Sequence, residues 1–406
     1  MFRVVVEATP VLPRPSGVGL YVLNLLGALR SLQASENFSL GVAYQPSLKN
    51  WLRGNLALPE VLSTYDDVAV LPLPVRLLNL LAQVPNNPVL GQLEHRFGQL
   101  DIYHGTNYAV YPCRHSLRVM TIYDLSFLRY PEYVTAVVRT YGQRVRQCLG
   151  WTDLVITISE SSKRDIVELL GVPPEQVWVT PLASRYAADT VGGSYAALAA
   201  VDLGDSGTDI GSKSVPVSGM PQALGFANRP YILFVSTLEP RKNVVRLIQA
   251  FDQLKTNRQI DHQLVLVGQK GWQFEPIFEA IAASPWRHHI RHLDYLSDAE
   301  VAYCYQNADV FAYPSLYEGF GLPVLEAMTL GCPVVTANTS SLPEVAGDAA
   351  LLVDPTSVED LAEALGRVMG DRTLRQAMIA KGHHQAAQFS WTRTAKLTLA
   401  AYRSLL

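Results

Sequence analysis

Two turns in the second half of the chain gather residue types that suit a diphosphate. The first is "STLEPRKN", residues 236–243, which follows an apolar run and precedes a helical pattern. It places Arg241 and Lys242 at the mouth of a helix that Asn243 can cap. Two cations at a helix N-terminus attract phosphate oxygens. The second is "PSLYEGFGLPVLEAMTLG", residues 314–331. Gly319 and Gly321 let the backbone approach a ligand closely. Pro323 fits the first turn of a helix and Gly331 ends it. The amides of Gly319, Phe320, Gly321 and Leu322 are then left free for a phosphate. Glu318 sits in the turn beside them. Glu326, on an otherwise apolar helix, is a carboxylate that burial penalises unless a partner satisfies it. If it faces the strand ends, it can accept hydrogen bonds from a diol. Plainer readings stay open: a capping acid for Glu318, a structural hydrogen-bonder for Glu326, and solvated loop charges for Arg241 and Lys242.

Weaker candidates lie in the first half. Gly17 and Gly19, in "RPSGVGLYV", fall between a strand and a helix as in nucleotide folds, or simply permit a tight turn. The stretches "DIYHGTNYAVYP" and "TIYDLSFLRYPE" put His104, Tyr123 and Asp124 at strand ends, where they could line a ligand cleft. No Asp-x-Asp motif occurs, so Arg241, Lys242 and backbone amides, with no metal, are expected to neutralise a diphosphate.

These turns need sheets to position them. Short β-branched runs alternate with helical patterns through both halves, which predicts parallel sheets with helical crossovers. "FRVVVEA", "SLGVAYQ", "DIYHG", "RVMTIYD" and "LVITIS" read as strands, and "GLYVLNLLGALRSL" as a helix. Ser159 is expected to cap a helix that stops at Gly171. "YILFVSTL", "HQLVLVG", "DVFAYPS" and "PVVTA" restart the pattern after a Ser-, Gly- and Ala-rich stretch. The predicted organisation is an N-terminal Rossmann-like domain (1–183), a linker or flexible insertion (184–229), a C-terminal Rossmann-like domain (230–388) and a C-terminal helix (389–406). Such α/β sheets bind ligands beyond the carboxyl ends of their strands.

Bulk properties bound the function. The 406 residues are 49% apolar and 17% charged, enough for large cores. A net charge of −3 argues against a nucleic-acid partner. Cys113, Cys148, Cys304 and Cys332 are scattered and read as reduced thiols of a cytoplasmic protein. The start lacks the pattern of a signal peptide, and no stretch of about 18 uninterrupted apolar residues suggests a membrane span. The stretch 73–98 reads either as a core helix or as a peripheral contact with the inner membrane face. In the second case Arg139, Arg144, Arg146, Lys163 and Arg164 would be the basic residues involved.

The motifs resemble those of the retaining GT-B glycosyltransferases, in the large family that includes bacterial mannosyltransferases and sucrose synthases. Glu318 and Glu326 match its E-(seven residues)-E motif, and "TLEPRKN", "NADVFAYPS", "GCPVVTANTSSLPEVAGDAALLVDP" and "FSW" match it too. The resemblance covers nearly the whole chain and is strongest over 230–391. It implies two Rossmann-like domains facing a cleft that closes over the donor. It also implies metal-independent, retaining transfer of a sugar from a nucleotide diphosphate-sugar, with no cofactor. Glu326 would hold the donor ribose, and Glu318 with the 319–322 amides the sugar and phosphates. Arg241 and Lys242 would take the diphosphate charge, and Tyr295 and Leu296 would flank the base. The last helix would cross back to the first domain. Two departures stand out: Tyr123 occupies a position where the family often has His, and Ser236 one where some members have Arg.

The expected activity is transfer of mannose from GDP-mannose to a glycan or lipid-linked acceptor. A UDP- or dTDP-sugar donor is the alternative. A catalytically weak nucleotide-sugar-binding subunit and a sugar-nucleotide epimerase are the other readings.

Overall fold

The computed structural model describes residues 1–12, 17–54, 56–74, 77–78, 94–134, 138, 140–187, 229–258 and 260–406. Most of the expected linker (184–229), most of the apolar stretch 73–98, and Arg139 lie outside the described residues. The chain divides into two compact units. One comprises Met1–Pro131, Ala136–Leu182 and Trp391–Leu406, the other Glu132–Thr135 and Ala183–Ser390.

The first unit is built on a seven-stranded sheet of order β3-β2-β1-β4-β5-β6-β7. The strands are β1 (Phe2–Glu7), β2 (Phe38–Tyr44), β3 (Val68–Val70), β4 (Ile102–Gly105), β5 (Leu117–Thr121), β6 (Leu154–Thr157) and β7 (Val177–Val179). Every pairing is parallel. Parallel strands are covered on both faces, which explains why β1 and β6 read as apolar runs and not as alternating ones. Helix α1 (Val18–Glu36) follows β1. Helices α2 (Tyr141–Leu149) and α3 (Glu160–Leu170) flank β6 in sequence. The Ser159 side chain accepts a hydrogen bond from Ser162 N, and Gly171 closes α3 in the left-handed region, as the sequence predicts.

The second unit carries a six-stranded sheet of order β10-β9-β8-β11-β12-β13. Its strands are β8 (Tyr231–Val235), β9 (Gln263–Val267), β10 (Ile290–Leu293), β11 (Val310–Tyr313), β12 (Val334–Ala337) and β13 (Ala350–Val353), again all parallel. Its helices include α4 (Val244–Arg258), α5 (Asp298–Asn307), α6 (Leu322–Thr329), α7 (Leu342–Ala346), α8 (Val358–Gly370) and α9 (Arg372–Ala386), with a further short helix at Glu275–Ala283. Both sheets reverse their winding at one point, between β1 and β4 in the first and between β8 and β11 in the second. Turns leaving two such strands diverge and open a crevice at their carboxyl ends. Residues 236–243 and 314–321 are the turns leaving β8 and β11.

The last helix, α10 (Trp391–Arg403), belongs to the first unit. Trp391 lies 6.3 Å from Tyr21 of α1, ring centre to ring centre. Thr394 Oγ1 donates to Pro181 O at 2.6 Å, and Arg403 pairs with Glu36 at 2.8 Å. Tyr402 is wholly buried. All four cysteines are buried and unpaired with one another. Among the described residues no helix is long and apolar enough to cross a membrane.

Candidate functional site

The two turns at the second sheet's switch point are tied into one cluster. Lys242 Nζ donates to Glu318 Oε1 at 2.6 Å and to the Tyr313 hydroxyl at 2.8 Å. That hydroxyl donates in turn to Glu318 Oε1 at 2.9 Å. Arg241 Nη1 reaches Glu318 Oε2 at 2.9 Å and Tyr317 O at 2.5 Å, and its Nη2 reaches Glu239 Oε1 at 2.7 Å. The two cations are therefore not solvated loop charges: two buried carboxylates anchor them. Two acceptors engage two of the three Lys242 ammonium protons.

The electrostatics follow from this packing. Burial would raise the Glu318 carboxyl, but Arg241 and Lys242 overcome it and hold the group at about 2. Burial and Arg241 both work against the Lys242 ammonium, yet Glu318, Tyr313 and Glu239 outweigh them and the net shift is upward. Glu239 is raised by burial, opposed by Arg241 and Lys242.

Backbone geometry fixes the turns. Asn243 adopts the left-handed region (φ 61°). Its side chain does not cap α4 as the sequence suggests. The Nδ2 group donates instead to Pro314 O and Pro355 O, at 3.0 and 2.7 Å, and so holds the β11 turn against the β8 turn. Glu318 N donates to Ser340 Oγ at 2.9 Å, and the Ser341 hydroxyl is shared between Glu318 O and Phe320 O. Gly321 starts α6 with φ 113°, a conformation that favours glycine, and a Cβ there would lie 2.8 Å from Leu342 Cδ2, so that side chain would have to shift. Pro323 falls in the first turn of α6. The amides of Phe320, Gly321 and Leu322 donate to no backbone carbonyl among the described residues. Gly319 lies in the same turn and has a bonding partner of its own.

Glu326 is 1% exposed on α6. Its partner is one the sequence does not reveal: Arg185 Nε donates to Oε1 at 2.6 Å, while the Tyr305 hydroxyl stands 3.4 Å from Oε2. Burial is the largest influence on its carboxyl and raises it, with Arg185 the main opposing charge. Ser236, half-buried, extends the β8–β9 pairing through its amide. A Cβ at Gly268 would sit 2.0 Å from Ser236 O, which enforces glycine where these two turns touch. Tyr295 is 70% exposed in the loop after β10, next to half-buried Leu296. That loop ends in a capping box between Ser297 and Glu300.

The first-unit candidates fare differently. Gly17 precedes α1 with φ 51°, and Gly19 is buried in the first turn of that helix. His104 is not at a strand end but inside β4, and it is fully buried. Its ring nitrogens lie 2.6 Å from the Tyr402 hydroxyl and 2.7 Å from Thr121 Oγ1, and burial pushes its pKa down to about 3. It is a neutral hydrogen-bonder that ties α10 to the sheet. Tyr123 is buried and donates to Thr106 O at 2.6 Å, between the rings of Tyr21 and Tyr108. Asp124 is half-buried and accepts hydrogen bonds from Ser126 N and Oγ. Among the basic residues, Arg146 donates to Leu169 O, Arg144 and Lys163 are half-buried, and Arg164 is exposed.

Similarity to known proteins agrees with this geometry. Residues 220–385 match the family model described as "Glycosyl transferases group 1". The "O-antigen chain mannosyltransferase B" of Escherichia coli is 34% identical over 305 residues, which span 75% of this chain and 74% of that one. The chain is a group 1 glycosyltransferase. Solved structures share the fold of this glycosyltransferase at low identity. Sucrose-phosphate synthase from Thermosynechococcus elongatus matches with TM-score 0.72 and 18% identity, covering 100% of this chain and 99% of that one. Anabaena HepE, solved with UDP and glucose, matches with TM-score 0.66 and 18% identity over 100% of both chains. The fold is thus GT-B, with two parallel-sheet Rossmann-like domains.

Proposed function

We propose that this glycosyltransferase moves mannose from GDP-mannose to a glycan or lipid-linked acceptor in polysaccharide assembly, with retention at the anomeric carbon and without a metal. The observation that carries the reading is the Arg241–Lys242–Glu318 cluster at the switch point of the second sheet. Two cations beside the N-terminus of α6 suit the diphosphate of a nucleoside diphosphate-sugar, and such sheets bind ligands beyond the carboxyl ends of their strands. The E. coli relative's name points to mannose and to O-antigen chains.

In the proposed reaction the bond from the anomeric carbon to the β-phosphate oxygen breaks. A bond to the acceptor oxygen forms on the same face, and the acceptor's hydroxyl proton passes to the leaving diphosphate. Arg241, Lys242 and the amides of Gly319 to Leu322 stabilise the charge that builds on that diphosphate. Removing one such donor costs about 100- to 1000-fold in turnover. Glu318 holds both cations in place and faces the transferred sugar. Glu326 binds the ribose, Ser236, Tyr295 and Leu296 flank the nucleotide, Gly17 and Gly19 count with the donor-binding residues, and Asp124 belongs to the acceptor or sugar side. His104 and Tyr123 support that side from within the core.

The test is transfer from GDP-mannose by the purified protein, with EDTA present and the product anomer assigned by NMR. UDP- and dTDP-sugars serve as competing donors. Glu326→Ala should lose donor binding, and Glu318→Ala mainly turnover. If both variants keep wild-type rates with every donor, the site assignment is wrong. Inversion at the anomeric carbon would refute the mechanism.

A further inference from the structure

Arg185 belongs to none of the motifs that mark the donor side, yet it meets the one carboxylate that the α6 helix buries. It sits outside any helix or strand, after β7 and just past Ser184, whose side chain accepts a hydrogen bond from Tyr186 N. Its guanidinium bridges two acids: Nε to Glu326 Oε1 at 2.6 Å and Nη1 to Asp298 Oδ1 at 2.9 Å. Tyr186 reinforces the bridge. Its hydroxyl donates to Asp298 O at 3.0 Å, and its ring centre lies 5.8 Å from the Arg185 guanidinium carbon. The Arg185 side chain is 32% exposed above Glu326.

Among the described residues, the surroundings of Glu326 offer no other cation. Helix α5 contributes Asp298 and Tyr305. Tyr313 of β11 is occupied by Lys242 and Glu318, and β12 brings no ionisable residue. Helix α9 meets α6 at Met328, and its His383 stands over Gly331. Helix α7 meets α6 through Leu342 at Gly321 and carries Glu344. A carboxylate this deep stays ionised only with a charge partner. The Tyr305 hydroxyl at 3.4 Å is a weak one. An ionised carboxylate accepts about four hydrogen bonds, so one bond from Arg185 leaves acceptor capacity on both oxygens.

We infer that Arg185 is a positioning residue for donor binding: it holds Glu326 as an anion in one orientation, ready to accept hydrogen bonds from a vicinal diol. This rests on the proposal that Glu326 binds the donor ribose. Removing the guanidinium leaves burial unopposed by any full positive charge, so the Glu326 carboxyl rises further. A carboxyl with a raised pKa is ionised above that value and protonates as the pH falls through it. Donor affinity then becomes pH-dependent, lost towards acid and recovered towards alkali.

The experiment is calorimetric titration of the full chain with GDP-mannose, UDP-glucose and dTDP-glucose between pH 6.5 and 8.5. The proteins are wild type, Arg185→Met, Arg185→Lys and Glu326→Gln, each checked for folding by circular dichroism. Wild type should bind one donor with an affinity that depends less on pH over this range than that of Arg185→Met, because the guanidinium opposes the effect of burial on Glu326. Arg185→Met should lose more affinity than wild type as the pH falls from 8.5 to 6.5, because its Glu326 carboxyl is raised further. Arg185→Lys should fall between the two. Glu326→Gln should bind weakly at every pH. If Arg185→Met gives a profile parallel to wild type, the inference is wrong and Arg185 is only structural. Tighter binding by Arg185→Met would also overturn it, since Arg185 would then be a cover over Glu326. Wild-type affinity in Glu326→Gln would instead remove the ribose reading on which the inference depends, and so would failure of the wild type to bind any of the three donors. If Arg185→Met does not fold, the comparison of Arg185→Lys with wild type decides by the same criteria.

Discussion

Replacing Glu318 by glutamine keeps the shape of the cluster and removes its charge. Glu318 is 7% exposed, so solvent screens little of its interaction with Arg241 and Lys242. Its pKa falls from the ordinary 4.5 to about 2 in the folded protein. At roughly 1.4 kcal/mol per pKa unit, that shift stabilises the folded state by about 3 kcal/mol. A group held low contributes its full share above the unfolded pKa and loses it as pH falls. Glu318→Gln should therefore cost the second unit about 3 kcal/mol at pH 7, in the range expected when one partner of a buried ion pair is removed. The gap to wild type should narrow progressively below pH 4.5. Some of the loss is recoverable, because Lys242, without Glu318, has burial and Arg241 driving it towards the neutral amine. Urea unfolding followed by intrinsic fluorescence, at a series of pH values, measures both effects. If wild type and Glu318→Gln share one midpoint at pH 7, the cluster contributes nothing and the electrostatic reasoning fails.

His104→Phe should lower stability by about 1–3 kcal/mol, since the Thr121 and Tyr402 hydroxyls lose a shared partner in the core. It should leave donor affinity unchanged, and NMR of wild-type His104 should show a neutral ring from pH 8 down to pH 5. Asn243→Ala should cost about 2–4 kcal/mol, from two lost hydrogen bonds to Pro314 O and Pro355 O and a left-handed backbone that alanine tolerates poorly. Because those bonds hold the two site turns together, thermal melts should fall and donor affinity with them.

Most of the framework was legible in the chain itself, because parallel strands buried on both faces leave apolar runs that stand out. Strands β3, β7, β10 and β13 were not read. Each is only three or four residues long and lies at or beside the edge of its sheet, so little burial marks it. The Arg241, Lys242 and Glu318 turns were readable because strand, turn and helix signals bracket them. Their supporting residues were not. Tyr313 reads as an ordinary core tyrosine at the end of β11, and Arg185 meets Glu326 from 141 residues away. His104 misled for the same reason: its partner Tyr402 is 298 residues distant, and β4 runs one residue beyond it. Local pattern locates elements and turns, whereas the partners that satisfy a buried polar group come from anywhere in the fold.

The proposed function requires that the switch-point cluster of the second unit binds a nucleoside diphosphate-sugar. Calorimetric titration of GDP-mannose into wild type and Arg241→Ala at pH 7.5 tests it most directly. Wild type should show saturable one-site binding and Arg241→Ala at least about tenfold weaker binding, the loss of a charge-assisted contact to the diphosphate. Equal affinity in the two proteins would contradict it.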